Sequence, residues 1–426
     1  MIPSPGAESL LVELPRRGFP AAEIFEKRGR SRRFSRDTFR ISQSVAHEEG
    51  WALRAGDSRR SLFYAATGKA EPAVALPEPS PHPLDLPEPR AIEPWSAPTE
   101  FDALLATESE ATNLLAAIER ELRRELPKSR LVAALLEDGA AEWTLLSTRG
   151  LRAGSRARAA YLRLEVEDGE RRCRFEGAER EARQFEPRAL ALRLVDRLCA
   201  LEESRDRSPA GDESELLLAA PLAARLVQAL APLFLGQAAN ERLAGLGTLS
   251  PALTLIDDGR RASGVLESPV DGEGLPCGPA LLVEQGRFVR PLLTWWEAGG
   301  VAVPGCARRA SWRDLPRRAA THFYVAPSST AVAELVESVS SGCYLLDAEG
   351  AVQIDPVSLA FEVAVSGLHL TAGRAVAPLG RVRLCGDVKS FLGGIRVLAR
   401  DLLFVPGDGM FGAPSMLVDG LRVLPR

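Results

Sequence analysis

The residue types best suited to metal or nucleophile chemistry are scattered along this chain of 426 residues. Its histidines and cysteines are His47, His82, His322, His369, Cys173, Cys199, Cys277, Cys306, Cys343 and Cys385. No two cysteines form a C-x-x-C pair, and His47-Glu48-Glu49 lacks the second histidine of a helical zinc motif. We therefore predict no metal ligands and no catalytic residues of its own, so that the chain is not a self-sufficient metal or nucleophile catalyst.

An acidic cluster in the second half is the main alternative to that prediction. It consists of Asp257, Asp258, Asp271 and Glu273. Paired carboxylates can share proton transfer when their environments separate their pKa values, and His322 or His369 could join them in space. A hydrolase using Asp271, Glu273 and His322 is therefore an open alternative. The same acids alternate with glycines in a manner typical of turns, which is the interpretation we favour.

Two further motifs have weaker functional interpretations. The segment 407–412 matches G-x-G-x-x-G, but a proline and a strand-like stretch follow it where a phosphate-binding loop needs a helix. We predict a turn there. The arginine-rich run 28–36 is typical of a solvated face and receives no function. Cys277 could act as a nucleophile only beside a base, and none is near it in the sequence.

The elements that must position these residues begin with alternating apolar and polar positions, which predict strands at 23–25, 39–45, 50–54 and 61–66. Gly56-Asp57 predicts a hairpin turn. Nine prolines between positions 71 and 98 exclude a helix or a sheet there and indicate an extended linker. An apolar stripe from Ala111 to Leu126 then predicts a helix.

Strands follow at 131–136, 143–147, 160–166 and 172–175, with turns at Asp138-Gly139 and Asp168-Gly169, and Pro187 opens another helix. Beyond residue 215, helices near Ala223 and at 331–340 interrupt short strands between glycines, which indicates a closed or sandwich-like β-rich domain. The predicted fold class is α+β. Its domains are an N-terminal α/β domain (1–70), a proline-rich linker (71–100), a middle helix-meander-helix domain (101–210) and a β-rich C-terminal domain (211–426).

Composition and charge exclude some classes of function. A net charge of −4 argues against a protein whose task is to neutralise phosphates, so we expect no nucleic-acid partner. The apolar stretch 216–235 is long enough to test as a membrane span, but Arg225 would cost about 2.5–3.5 kcal/mol there, so we expect a buried helix and no membrane contact. The unpaired cysteines and the lack of a signal-peptide pattern at 1–19 predict a cytoplasmic location.

Several ordered motifs give the chain a resemblance to a known family. They are LIDD (255–258), SPVDGEGLP (268–276), LLVEQGRF (281–288), GCARR (305–309), GRAVAP (373–378) and GAPSMLVDGL (412–421), preceded by EGWALR (49–54) and SLFYAAT (61–67). In this order they resemble the TldD/PmbA family, which includes modulators of DNA gyrase and metallopeptidase subunits. The segments GCARR and IDPVS (354–358) depart from the family pattern, so a divergent branch is expected.

The resemblance also implies a division of labour. Active relatives hold zinc with a His-Glu-x-x-x-His helix and a cysteine near the C-terminus. The helix expected to correspond is 223–233, which has no histidine and no carboxylate, and the last cysteine is Cys385. The pattern fits the PmbA/TldE-like branch, so the resemblance implies a heterodimer with a TldD-like subunit that carries the zinc, no cofactor in this chain, and peptide as substrate.

Three hypotheses about function follow. The first is a non-catalytic subunit of a TldD/PmbA-type peptidase complex. The second is a hydrolase built from the acidic cluster with His322 or His369. The third is a stand-alone peptide-binding or scaffold protein.

Overall fold

A computed structural model describes residues 3–37, 40–92, 105–202, 215–301 and 305–425 of the chain. Phe39, part of the linker and the start of the predicted middle domain (93–104), and the boundary region 203–214 lie outside the described residues. The α+β class predicted from the sequence is confirmed, because helices pack against antiparallel and mixed sheets in both halves.

The first half is organised around one long antiparallel sheet. Its strands are β1 (Ala21–Asp37), β2 (Ile41–Gly56), β3 (Ser61–Thr67), β4 (Arg130–Ser147), β5 (Arg152–Asp168) and β6 (Arg171–Glu179). They lie in the order β3-β2-β1-β4-β5-β6. Strands of the predicted N-terminal and middle segments therefore belong to one sheet, in which β1 pairs directly with β4.

Three helices cover this sheet, and α2 and α3 do so with the faces that the apolar spacing predicts. They are α1 (Pro5–Glu13), α2 (Glu108–Glu125) and α3 (Pro187–Ala200). The start of α2 is fixed by a capping box, in which the Glu110 amide donates to the Thr107 hydroxyl (3.2 Å) and the Thr107 amide donates to the Glu110 carboxylate (2.6 Å). Leu115, Ile118 and Leu122 of α2 are buried, each contributing about 1.5–3 kcal/mol of apolar burial.

Two local predictions in this sheet were wrong. Where the structure describes them, the predicted strands at 39–45 and 50–54 fall within one strand, β2, which runs from residue 41 to 56, and Asp138-Gly139 lies inside β4 rather than in a turn. β4 continues through Asp138 because β1 and β5 supply ladder partners on both sides. The buried Asp138 carboxylate accepts the Ala106 amide (2.6 Å) instead of closing a turn. The predicted turn at Asp168-Gly169 is confirmed.

The second half contains short strands and helices. In chain order they are β7 (Glu215–Leu218), α4 (Ala220–Leu230), α5 (Ala238–Ala244), β8 (Leu255–Asp258), β9 (Pro279–Glu284), β10 (Arg287–Phe288), β11 (Ala307–Arg308), β12 (Arg317–Arg318), β13 (His322–Val325), α6 (Val332–Ser338), β14 (Ser341–Ala348), β15 (Ala360–Thr371), β16 (Arg374–Asp387), α7 (Val388–Gly393), β17 (Ile395–Leu398), β18 (Leu403–Pro406), β19 (Met410–Ala413), β20 (Met416–Val418) and β21 (Arg422–Pro425).

These strands form two mixed sheets and a small ribbon of β11 and β12. One sheet has the order β10-β9-β8-β13-β19-β18 and the other β17-β20-β7-β14-β15-β16-β21. Helix α4 contacts β13, β18 and β19 of the first sheet and β14 of the second, so it lies between them. Its apolar residues belong to one continuous core with both sheets. Among the described residues, no helix has both the length and the apolar character that a membrane span requires.

Candidate active-site region

Helix α4 is the element on which the resemblance places a metal site, and its start is fixed by contacts with the end of the chain. Pro221 stands in its first turn, where the missing N–H leaves no unsatisfied donor. The Ala220 amide donates to the Ser415 hydroxyl (3.0 Å), and that hydroxyl donates to the Asp401 carboxylate (2.7 Å). Ala219, the residue before the helix, has no side-chain acceptor for this amide, so Ser415 in the loop preceding β20 caps the helix instead.

The side chains of α4 do not fit a zinc site. Ala220–Leu230 contains only apolar residues apart from Arg225 and Gln228. Arg225 Nε donates to Asp347 Oδ1 (2.8 Å), and Gln228 Nε2 donates to the Pro406 carbonyl (3.4 Å). Zinc needs three protein donors from His, Cys, Asp or Glu. In the described parts of the chain, no group of three such residues is placed to hold a metal ion.

Asp347 connects α4 to helix α3 of the first half. Its carboxylate lies 3.1 Å from Arg197 Nη1 and 2.8 Å from Arg225 Nε, and its side chain is only 6% exposed. Burial lowers the pKa of Arg197, but the Asp347 carboxylate more than offsets this and the net pKa is raised. This joint was not predicted from the sequence. Arg197 follows Leu190 by seven residues, so a charged residue stands on the apolar stripe of α3. This position is the feature of the sequence that could have indicated a buried ion pair.

A cavity of about 800 Å³ lies beside the first turn of α4. Its walls come from β6 and α3 of the first half and from the loop 261–265, β14 and the segment 401–404 of the second half. Arg193 and Arg261 both line it. The Arg193 guanidinium lies over the Phe175 ring (5.2 Å to the centroid), and the Arg261 guanidinium lies over Tyr324 and Phe404 (4.9 Å each). Neither arginine was predicted from the sequence to belong to a site.

The acidic cluster proposed for the alternative hydrolase is largely occupied by backbone groups. Asp271 accepts the amides of Glu273 (2.9 Å), Leu275 (2.9 Å) and Ala307 (3.0 Å). Burial raises the pKa of Asp271 to about 6, although these amides stabilise its charged form. Asp257 accepts the amide and hydroxyl of Thr321 (2.7 and 2.9 Å), and burial raises its pKa to about 6 as well. This is the hydrogen bonding of turns and strand ends.

Of the histidines, His322 reaches this cluster through the Asp258 backbone carbonyl and not through a carboxylate. His47 lies in β2, His322 in β13 and His369 in β15, which belong to three different sheets. His322 Nε2 accepts the Leu266 amide (3.3 Å), so its Nδ1 donates to the Asp258 carbonyl (3.0 Å). Burial lowers the pKa of His322 to about 4, which keeps the ring neutral. His322 lines the large cavity, whereas Asp271 and Cys277 line a separate one of about 150 Å³.

Glu273 and Asp271 form a buried acidic pair with a predictable effect on stability. Burial and the Asp271 carboxylate raise the pKa of Glu273 to about 7. The unfolded chain gives up this proton near pH 4.5 and the folded chain only near 7, so the folded state loses stability relative to the unfolded state as pH rises between these two values. We expect Glu273→Gln to remove most of this loss, as measured by the free energy of unfolding at pH 5 and pH 8. Glu284→Gln, at an exposed position of β9, is the control; equal pH dependence in both variants would contradict the prediction.

Comparisons with known proteins agree with this architecture. The PmbA/TldA metallopeptidase C-terminal domain matches residues 212–424. A metalloprotease TldD homologue from Buchnera aphidicola is 26% identical over 193 residues, which are 42% of this chain and 40% of the relative. The corresponding protein from Haemophilus influenzae is 28% identical over 190 residues, 41% of this chain and 39% of the relative. The match thus spans well under half the length of these relatives.

Solved structures match over nearly the whole chain. TldE from Thermococcus kodakarensis has a TM-score of 0.84 at 18% identity and is matched over 98% of this chain and 100% of that chain. A proposed modulator of DNA gyrase from Thermotoga maritima has a TM-score of 0.82 at 16% identity over 98% of both chains. At these identities the likeness establishes the fold alone. Because the family domain matches half of the sequence, including α4 and both C-terminal sheets, the chain belongs to the PmbA/TldD family.

Proposed function

We propose that this chain is the non-catalytic, PmbA/TldE-like subunit of a heteromeric zinc metallopeptidase complex that processes or degrades peptides. The zinc belongs to a TldD-like partner subunit, and the complex acts in the cytoplasm. The related metalloprotease TldD homologues and the shared fold with a TldE support this proposal.

The observation that carries the proposal is the state of helix α4. Where an active relative would place zinc ligands, this helix has apolar residues buried in the core. Its two polar side chains have structural roles. Arg225 forms an ion pair with Asp347, and Gln228 donates a hydrogen bond to the Pro406 carbonyl. A helix used in this way holds the second half together and leaves the hydrolytic step to another subunit.

The test is reconstitution with a TldD homologue encoded in the same genome. We expect the two chains to purify as one complex and to cleave an unfolded peptide substrate only together. Chelator should abolish that cleavage and zinc should restore it. A complex whose partner lacks its zinc-binding histidines is the control and should form without cutting. Chelator-sensitive cleavage by this chain alone would overturn the proposal, and a failure to associate would favour a stand-alone peptide-binding protein.

A further inference from the structure

Strand β2 leaves part of one edge of the first sheet unpaired. On its inner side β2 pairs with β1 over its whole length. On its outer side β3 pairs only with residues 50–56, and β3 is in turn covered by the proline-rich linker, where Ser61 and Ser80 exchange amide–carbonyl bonds (3.0 and 2.8 Å). Within the described ranges, no strand pairs with the outer side of residues 41–47, which we call the free edge. Every residue of the free edge is solvent-exposed.

The hydrogen-bond pattern shows which backbone groups the free edge offers. The Asp37 amide donates to the Arg40 carbonyl (2.9 Å), so Arg40 and every second residue after it direct their N–H and C=O groups toward β1. The residues between them point outward, as Glu49 does where its carbonyl accepts the Gly68 amide (2.9 Å). The outward-pointing residues of the free edge are therefore Ile41, Gln43, Val45 and His47. Their N–H and C=O groups form a template on which another strand can pair.

The side chains of the free edge do not protect it from pairing. Ile41 is 57% exposed and Val45 is 43% exposed. Proteins usually block an exposed edge with lysine, with proline or with a bulge, and none of these is present between residues 41 and 47. The same segment contains no arginine, aspartate or glutamate. An exposed edge with apolar side chains and no formal charge has the properties of a surface that pairs with another strand.

The free edge is complementary to a second copy of itself. Two copies can pair antiparallel about a two-fold axis at Gln43. Ile41 of each copy then lies opposite Val45 of the other, so the two exposed apolar side chains meet twice. Ser42 lies opposite Ser44 on the other face of the sheet. Residues that point outward in one copy meet residues that point outward in the other, as an antiparallel ladder requires.

Charged residues at the ends of the free edge agree with this register. Arg40 is exposed and forms no ion pair with the residues that the structure describes. In the paired arrangement it is a diagonal neighbour of Glu48 of the second copy, at a separation of about 7–8 Å that long side chains can bridge. An axis at Ser44 would set these two charges directly opposite but would place Ile41 opposite His47. Apolar contact contributes more than an exposed ion pair, which is worth about 0–1 kcal/mol, so the axis at Gln43 is favoured.

We propose that a second copy of this chain pairs with the free edge, antiparallel and about a two-fold axis at Gln43. The first sheet of one copy then continues into the first sheet of the other. Because a two-fold contact uses the same surface on both copies, association ends at the dimer and does not lead to a fibre. The inference goes beyond the proposed function and does not depend on it.

The mass of the purified full-length chain in solution tests the inference. It is measured by light scattering at concentrations from about 1 to about 100 μM, where we expect the dimer to replace the monomer as concentration rises. Val45→Lys places a charge opposite Ile41 of the other copy and should raise the dissociation constant of the dimer at least about tenfold. Val376→Lys, at a valine of β16 with similar exposure (48%), is the matched control and should leave it unchanged.

Cross-linking tests the register. Ser42 of one copy and Ser44 of the other form a pair without ladder hydrogen bonds, and the Cα separation of about 4.5 Å in such pairs suits a disulfide. With oxidised glutathione, we expect a mixture of Ser42→Cys and Ser44→Cys chains to form an intermolecular disulfide faster than either variant alone. The native cysteines are buried or half-buried, and the wild-type chain gives their background. Equal rates in the mixture and in either single variant would contradict the register.

A wild-type chain that stays monomeric at the highest concentration would overturn the inference, and so would a Val45→Lys chain that dimerises as well as the wild type. Both measurements use this chain alone. A chain that dimerises through the free edge but binds no TldD homologue would refute the proposed function alone. A chain that is monomeric by itself and forms an active complex with its TldD homologue would refute only the inference about the free edge.

Discussion

Replacing Asp347 by asparagine is expected to lower the free energy of unfolding by about 3–5 kcal/mol, measured by chemical denaturation at pH 7. Its carboxylate lies between Arg197 of α3 and Arg225 of α4, and all three side chains are largely buried. Without the negative charge, both guanidinium ions lose their nearest carboxylate in a region from which water is mostly excluded, and only the more distant Glu349 (3.6 Å from Arg197) and Glu176 (3.9 Å from Arg225) remain. Because α3 and α4 belong to different halves of the chain, we expect the substitution to weaken the packing of the two halves against each other.

Two further variants distinguish the effect of the buried charge on stability from the effect of ordinary packing. Glu362→Gln breaks an exposed ion pair with Arg383 and should cost less than about 1 kcal/mol. The triple variant Asp347→Leu with Arg197→Met and Arg225→Met removes these three charges while keeping apolar volume. It should recover much of the loss, because Glu176 keeps its pair with Arg174 and Glu349 keeps the Ser366 hydroxyl. If Asp347→Asn proves as stable as Glu362→Gln, the ion pairs do not join the two halves.

Much of the local structure could be predicted from short segments of sequence. The helix α2 follows from the apolar stripe between Ala111 and Leu126, the start of α3 from Pro187, and the β5–β6 turn from Asp168-Gly169. In each case the decisive interactions join residues within a few positions of one another. Short-range hydrogen bonds and fixed backbone angles act in the same way whatever surrounds them, which is why the pattern was sufficient.

The failures arose where distant strands determine the local conformation. Asp138-Gly139 has turn-forming residues, but ladders with β1 and β5 on both sides outweigh that preference. The same limit applies to the site. That α4 contains no histidine and no carboxylate is a property of the sequence itself, whereas the Arg225–Asp347 pair joins residues 122 positions apart. Arg193 and Arg261 line one cavity only because the two halves pack together, so no spacing rule finds them.

A second large effect is expected at Glu23, which lies where β1 meets the second half. Its carboxylate is 2% exposed, accepts Arg54 Nε (2.6 Å) and pairs with Arg309, whose Nε donates to the Gly272 carbonyl (2.9 Å). The Arg309 guanidinium also lies over the Phe25 ring (4.9 Å). Arg309 stands 286 positions from Glu23, so the pair connects the first sheet to the loop after β11. Glu23→Gln should lower the free energy of unfolding by about 3–5 kcal/mol at pH 7.

The pH dependence identifies the charge as the cause. Burial raises the pKa of Glu23, but Arg54 and Arg309 lower it by a larger amount, so the pKa in the folded state lies below 4.5. The stability that this carboxylate contributes is therefore complete above pH 4.5 and is lost as pH falls through the folded pKa. The difference between wild type and Glu23→Gln should be largest near pH 7 and should shrink in acid. Glu48→Gln, which removes a more exposed pair with Lys27 in the same sheet, should change stability by less than about 1 kcal/mol. If the loss of unfolding free energy in Glu23→Gln stayed constant down to pH 3, the charge between the two arginines would not be its cause. Packing would then be what joins the first sheet to the second half.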